Sequence, residues 1–217
     1  MGKTLLFSLC LCLAPQCAGA QTDMGVVDAY AAKIRLSDND IEQLADTLTA
    51  PFSAELEKAR AIFVWISENI AYDCGKENGL ETVPDEAVHP LYYTQQQLEN
   101  ILKTRRTRCE GYAFLFRIMC RLAEIQCSSL EGFARFNGEK VNPATVEPNH
   151  AWNAVCLEGT WYEVDVSAGS GQCDGGRFKA ARRDEYFRMS PELLERMYIQ
   201  IDDDRSSKNS GRIMLKF

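Results

Sequence analysis

The sequence predicts an α+β chain, helical in its first half and built of antiparallel strands further on. Three observations predict it. Apolar residues recur at three- and four-residue steps through Ile41–Leu48, Leu56–Ile70 and Tyr112–Ala123, the period of a buried helix face. From Leu130 the helical period gives way to runs of strand composition. Two of those runs, His150 to Leu157 and Thr160 to Val166, are separated by Glu158-Gly159 alone, the spacing of a tight hairpin.

Composition bounds the protein before any element is placed. At 217 residues with 46% apolar residues, one medium domain can bury a sizeable core. Residues 1–20 have the pattern of a secretory signal: Lys3, an apolar run from Thr4 to Ala14, and Ala18-Gly19-Ala20 before cleavage after Ala20. That run is too short for a permanent anchor, so no integral membrane segment is expected after cleavage, and the expected location is secreted or periplasmic. Loss of Lys3 leaves 23 basic against 31 acidic residues, a net charge of −8, which speaks against nucleic acid as a partner. Six cysteines remain: Cys74, Cys109, Cys120, Cys127, Cys156 and Cys173. Their pairing is open. With two histidines, no C-x-x-C pair and no acidic loop of calcium-binding type, neither metal nor cofactor is expected. The spacing gives no oligomeric state.

In order along the chain, Val26, Val27, Tyr30 and Ile34 suggest a short outer helix. Ser37-Asp38-Asn39-Asp40 reads as the start of a second, with Ile41, Leu44, Ala45 and Leu48 inward and Pro51 beyond its end. Ser53 opens a third, with Leu56, Ala59, Ile62, Phe63, Ile66 and Ile70 on one side and Trp65 off that stripe. Residues 72–93 lack a period and are read as a long loop carrying His89, an ordinary surface histidine. Thr94 and Gln97 fit a capping box for a helix through Leu98, Ile101 and Leu102. After the basic run Arg105, Arg106, Arg108, a helix begins at Cys109 and ends near Glu124.

Beyond that point, Leu130 to Phe136 reads as a strand and Asn137-Gly138 as a turn. The segment Gly169 to Gly176 is a flexible Gly-rich loop, and Ser190-Pro191-Glu192 starts a short helix. Asp202-Asp203-Asp204 is a solvated turn, and Ile213-Met214-Leu215 an edge strand. The expected organisation is a signal over 1–20, a helical leader over 21–54 and a catalytic domain over 55–217.

The candidate chemistry starts at Cys109. A cysteine at a helix N-terminus among arginines is placed where a thiolate is favoured. A cysteine nucleophile needs a base, and imidazole suits that work near neutral pH. With Glu158 and Gly159 as the two loop residues, Leu157 pairs with Thr160 and Trp152 with Asp165. His150 and Asp165 then share a face as diagonal neighbours, within hydrogen-bonding reach. The carboxylate would fix the imidazole's tautomer and support its charged form. Cys109, His150 and Asp165 are the candidate catalytic residues. The Cys109 backbone N–H is one oxyanion donor, and Tyr93 or Gln95 are candidates for a second.

Three stretches carry a family resemblance. Arg108-Cys109-Glu110-Gly111-Tyr112-Ala113, Asn149-His150-Ala151-Trp152-Asn153-Ala154-Val155 and Trp161-Tyr162-Glu163-Val164-Asp165-Val166 resemble the three core motifs of the transglutaminase-like superfamily, in order. Ala59 to Ile66, Ile70-Ala71-Tyr72-Asp73, Glu185-Tyr186-Phe187 and Ser190-Pro191-Glu192 resemble its kyphoscoliosis-peptidase-like branch. The resemblance spans about residues 55–195. It implies a papain-like α+β fold, with a nucleophile helix packed on an antiparallel sheet that carries His150 and Asp165. It does not fix the reaction, since members cleave peptides, cross-link glutamine to amines or are inactive. Where the family often has Thr-Trp after the Asp motif, this chain has Ser167-Ala168. The expected function is peptide or isopeptide hydrolysis on a protein or peptide substrate. A glutamine cross-linking enzyme, a cell-wall amidase and a non-catalytic binding module are the alternatives.

Overall fold

The computed structural model describes residues 23–35, 40–75, 94–136, 142–143 and 146–200. His89, Tyr93, Asn137-Gly138, the acidic turn at 202–204, the strand expected at 213–215 and the signal-like residues lie outside these.

Three helices open the fold: α1 (Met24–Ala31), α2 (Ile41–Thr49) and α3 (Glu55–Asn69). Asp40 caps α2, accepting from the backbone N–H groups of Glu42 and Gln43. Ile41, Leu44, Ala45 and Leu48 face inward as the spacing requires. In α1 the buried positions are Val27 and Ala31, while Val26 is exposed, so the stripe runs one residue away from the one expected. Helix α3 departs further. It is buried on all sides from Ala59 to Ser67, Trp65 included. The Trp65 indole N–H donates to the Ile34 carbonyl and the Arg105 guanidinium lies over its ring. The side of α3 away from its stripe is therefore covered by segments distant in sequence.

A two-residue strand β1 (Ala71–Tyr72) pairs in parallel with β2 (Arg106–Thr107), across α4 (Gln95–Thr104). The Thr94–Gln97 capping box forms as expected. Helix α5 (Cys109–Leu122) follows β2 directly and is the centre of the molecule, with Phe114, Leu115, Phe116, Met119 and Cys120 buried. Its first turn sits tightly on β2: a Cβ on Gly111 would lie 1.9 Å from the Thr107 hydroxyl oxygen, so only glycine fits.

The antiparallel sheet has the order β5-β4-β3-β8, from β3 (Cys127–Ala134), β4 (His150–Leu157), β5 (Thr160–Val164) and β8 (Tyr198–Gln200). Strand β3 starts three residues earlier than its composition suggests. The expected hairpin register is found, with Leu157 opposite Thr160 and Asn153 opposite Val164. Glu158 and Gly159 both take positive φ, 47° and 80°, as a two-residue hairpin turn requires. The Glu158 N–H donates to the Glu55 carboxylate and Leu56 N–H donates to the Glu158 carboxylate, docking the turn on the start of α3. Side chains alternate along β4. Val155 and Leu157 join the main core with α3 and α5, while Trp152 joins a smaller cluster with Tyr186, Met189, Leu193 and Tyr198. The main core also takes in α1 and α2.

Two expectations fail after Val164. The returning strand ends there, because the Asp165 side chain turns to accept from Ala168 N–H and caps α6 (Val166–Ser170). The Gly-rich segment is an ordered hairpin, β6 (Gly171–Asp174) and β7 (Arg177–Ala180), turning at Gly175-Gly176. A Cys74–Cys173 disulfide ties it to the residues after β1, which leaves Cys109, Cys120, Cys127 and Cys156 free. Ser190 caps α7 (Pro191–Met197) as expected.

Candidate active site

Cys109 is the first residue of α5, and its side chain is 4% exposed. An N–H at this position has no partner within the helix. His150 begins β4, and Asp165 follows the end of β5 as the cap of α6. The His150 Nε2–Asp165 Oδ2 distance is 2.6 Å, with both residues buried. The Cys109 sulfur lies close enough to the same imidazole to favour its charged form. With Nε2 committed to Asp165, Nδ1 is the nitrogen left for the sulfur. The three residues singled out from the sequence thus meet in one place, from a helix start, a strand start and the cap between β5 and α6.

Asp165 is held by four donors. Oδ1 accepts from the Ser167 hydroxyl at 2.7 Å and from Ala168 N–H at 2.9 Å. Oδ2 accepts from His150 and, at 2.8 Å, from the Tyr198 hydroxyl. Burial opposes the charge, but the imidazole, the Ala168 N–H and the Ser167 hydroxyl outweigh it and leave the carboxyl below its usual range. Burial likewise opposes charge on His150, yet Asp165 and the Cys109 sulfur raise it to about 10. The Ser167-Ala168 departure from the family pattern therefore keeps the hydroxyl that orients Asp165, which threonine would also carry.

Aromatic rings enclose the imidazole. Trp152 stacks on it with centroids 6.0 Å apart, Tyr198 lies at 6.1 Å, and Phe136 meets it edge-on at 5.0 Å. Trp152 and Tyr198 are buried, whereas Phe136 is exposed. The Trp152 indole is itself fixed, donating to Glu163 Oε2 at 2.6 Å. Burial raises the Glu163 carboxyl, with the indole hydrogen bond working against it.

The remaining contacts of the thiol were not legible as motifs. It donates to Glu110 Oε2 at 3.3 Å, and the Tyr72 hydroxyl is its neighbour, near enough to be raised by it. Tyr72 stands on β1 with its ring stacked on Tyr112, centroids 6.2 Å apart. Burial and the neighbouring Cys109, Glu110 and Asp165 push its hydroxyl well up, so Tyr72 stays a proton donor. Gln95, one of the two candidates for a second oxyanion donor, is exposed and gives its amide to Glu99 on its own helix. Among the described residues no group of three or more His, Cys, Asp or Glu could hold a metal ion. No described helix is long and apolar enough to cross a membrane.

A Cys-His-Asp set on a helix packed against an antiparallel sheet defines a class of folds rather than one protein. The family model described as the transglutaminase-like superfamily matches residues 42–166. The chain belongs to that superfamily, in the branch of kyphoscoliosis peptidase. It is 34% identical to the human kyphoscoliosis peptidase and 35% to that of Mus musculus, each over 171 residues, or 77% of this chain. It spans about a quarter of the length of those curated relatives, 24% of each. Among solved structures it resembles a candidate cysteine protease from Cytophaga hutchinsonii at 23% identity and a TM-score of 0.40, covering 68% of this chain and 43% of that one.

Proposed function

We propose that the chain is an exported cysteine hydrolase that cleaves peptide or isopeptide amides through an acyl-thioester on Cys109. One observation carries the reading: the 2.6 Å contact from His150 Nε2 to Asp165 Oδ2, with the Cys109 sulfur near enough to the same imidazole to favour its charged form. In the proposed cycle His150 takes the Cys109 proton and the sulfur attacks the carbonyl carbon. The oxyanion is met by the Cys109 backbone N–H and by the Tyr72 hydroxyl, which already lies against the sulfur. The imidazolium, supported by Asp165, gives its proton to the leaving nitrogen as the C–N bond breaks. Water, deprotonated by His150, then attacks the thioester, and the carboxylic acid product and free thiol are released.

An amine in place of water would make the same acyl-enzyme a cross-linking enzyme. The peptidase activity named for the human and mouse relatives favours water. Export is supported by the signal pattern of residues 1–20 and by the Cys74–Cys173 disulfide, a bond at home in oxidising compartments.

The test incubates the purified protein and its Cys109→Ala variant with a peptide library, with and without a primary amine, and reads products by mass spectrometry. Cys109-dependent cleavage supports hydrolysis, and amine adducts on glutamine redirect the reading to transglutamination. No Cys109-dependent product would leave a binding module that keeps the fold.

A further inference from the structure

The Tyr198 hydroxyl and the His150 imidazole donate to one and the same oxygen, Asp165 Oδ2, at 2.8 and 2.6 Å. The other oxygen is already filled by Ser167 and Ala168, so Tyr198 does not supply a donor the carboxylate otherwise lacks. It competes with the imidazole for negative charge. Tyr198 stands at the start of β8, opposite Ala134 in β3, and is packed against Trp152 with centroids 5.1 Å apart. A Cβ on Gly132 would lie 2.2 Å from the Ile199 carbonyl oxygen, so it is a glycine that lets β8 come this close.

We propose that Tyr198 is a positioning residue that tempers Asp165, so that the His150 imidazolium stays acidic enough to protonate the leaving nitrogen. The proposal rests on the Cys109–His150–Asp165 reading above. Burial and the Asp165 charge hold the hydroxyl well up, so Tyr198 donates throughout the working range. The other titratable or charged groups around the pair are Cys109 and Tyr112 on α5, Tyr72 on β1, and Arg183 and Tyr186 beside α6. Arg183 is anchored on the carbonyl oxygens of Ala168 and Gly171.

The sign follows from the shared oxygen. Without the hydroxyl, Asp165 Oδ2 presents more charge to His150 and the imidazolium loses its proton at higher pH. A weaker acid protonates the leaving nitrogen more slowly, which lowers kcat and spares KM. Tyr198→Phe removes the hydroxyl alone. Incorporation of 3,5-difluorotyrosine at position 198 strengthens the donor.

The experiment measures Cys109 alkylation by iodoacetamide from pH 4 to 11, and kcat and KM on a cleaved peptide, for wild type and both variants. Tyr198→Phe is expected to move the alkaline limb up by roughly half a pH unit or more, a fraction of the worth of one hydrogen bond to a charged group because the effect reaches His150 through Asp165. Difluorotyrosine is expected to move it down. A limb that stays put in both, with only thermal stability altered, makes Tyr198 a satisfied core hydroxyl and overturns the proposal. A His150→Ala control separates the two levels: alkylation indifferent to His150 overturns the underlying triad, and the tempering role with it.

Discussion

Asn153 and Ala113 join the strand of His150 to the helix of Cys109: Asn153 Nδ2 donates to the Ala113 carbonyl oxygen at 2.9 Å. The same amide reaches the Ser128 carbonyl on β3 at 3.3 Å, and Asn153 is fully buried. One side chain thus sets the spacing between sheet and helix one turn from the nucleophile. Asn153→Ala removes both bonds and leaves buried acceptors unmade, a cost of about 1–3 kcal/mol. Thermal denaturation should show that loss, and iodoacetamide alkylation at pH 6 should slow as the imidazole shifts from the sulfur. A variant that melts early yet alkylates at the wild-type rate would separate the amide from the site.

The His150–Asp165 pair sets a pH window for stability. Asp165 is held below its ordinary range, so its contribution is present above the unfolded value of about 3.9 and fades as pH falls through the lower folded value. His150 is raised to about 10. Its contribution is complete below the unfolded value of about 6.5 and is lost as pH rises from there towards the folded one. Asp165→Asn keeps the shape and removes the charge. The gap in Tm between wild type and Asp165→Asn should be widest near pH 5–6 and narrow steadily up to pH 10. A gap of constant size over that range would mean that no ion pair forms.

What the sequence revealed and what it concealed divide along the range of the interactions. Helix α5 and the register of β4 on β5 follow from local period and from the two-residue turn at Glu158-Gly159, so the meeting of His150 with Asp165 could be counted out. The cap that Asp165 places on α6 could not. Val166 to Ser170 carry no helical period, and the turn is set by the Asp165 carboxylate answering four donors. The burial of Trp65 depends on Ile34 and Arg105. Tyr198 reaches Asp165 across 33 residues, and Tyr72 lies 37 residues before Cys109, so neither spacing forms a local pattern. The order of residues 169–176 comes from pairing with β7 and from Cys74, which their glycines do not announce.

Tyr72 and the Cys74–Cys173 disulfide give a linked prediction. Strand β1 is only two residues long, and the covalent tie begins two residues after Tyr72. Tyr72→Phe should lower amide turnover about 100- to 1000-fold, in keeping with loss of one oxyanion donor, while alkylation of Cys109, which forms no oxyanion, persists. The disulfide spans a sequence separation of 99 residues, and its removal in Cys74→Ala/Cys173→Ala should cost about 3–5 kcal/mol of stability. Below the melting range that double variant should also lose turnover. If the disulfide acts on catalysis by holding Tyr72, adding Tyr72→Phe to it should lower turnover little further. Fully additive losses would show that the two act separately.

Arg60 ties the amino-terminal helix to the rest. Its guanidinium is buried, meets Asp28 on α1 through Nε and Nη2 at 2.7 Å each, and reaches Asp184 at 2.7 Å. It also lies over the rings of Phe63 and Phe187, at 5.5 and 5.3 Å from their centroids. Burial works against its charge, but the two carboxylates raise it overall. Arg60→Met keeps the length and the ring contacts while removing the donors. Asp28 retains Arg182 at 2.8 Å, so the charge left behind is not wholly uncompensated. The loss should therefore fall short of the 3–5 kcal/mol typical of a broken buried pair, at about 1–3 kcal/mol. It should be concentrated at α1, where limited proteolysis would cut the variant between residues 24 and 35 faster than wild type, with the Cys109 alkylation rate unchanged. Cleavage spread evenly over α3 and α5 would show instead that Arg60 holds the whole core.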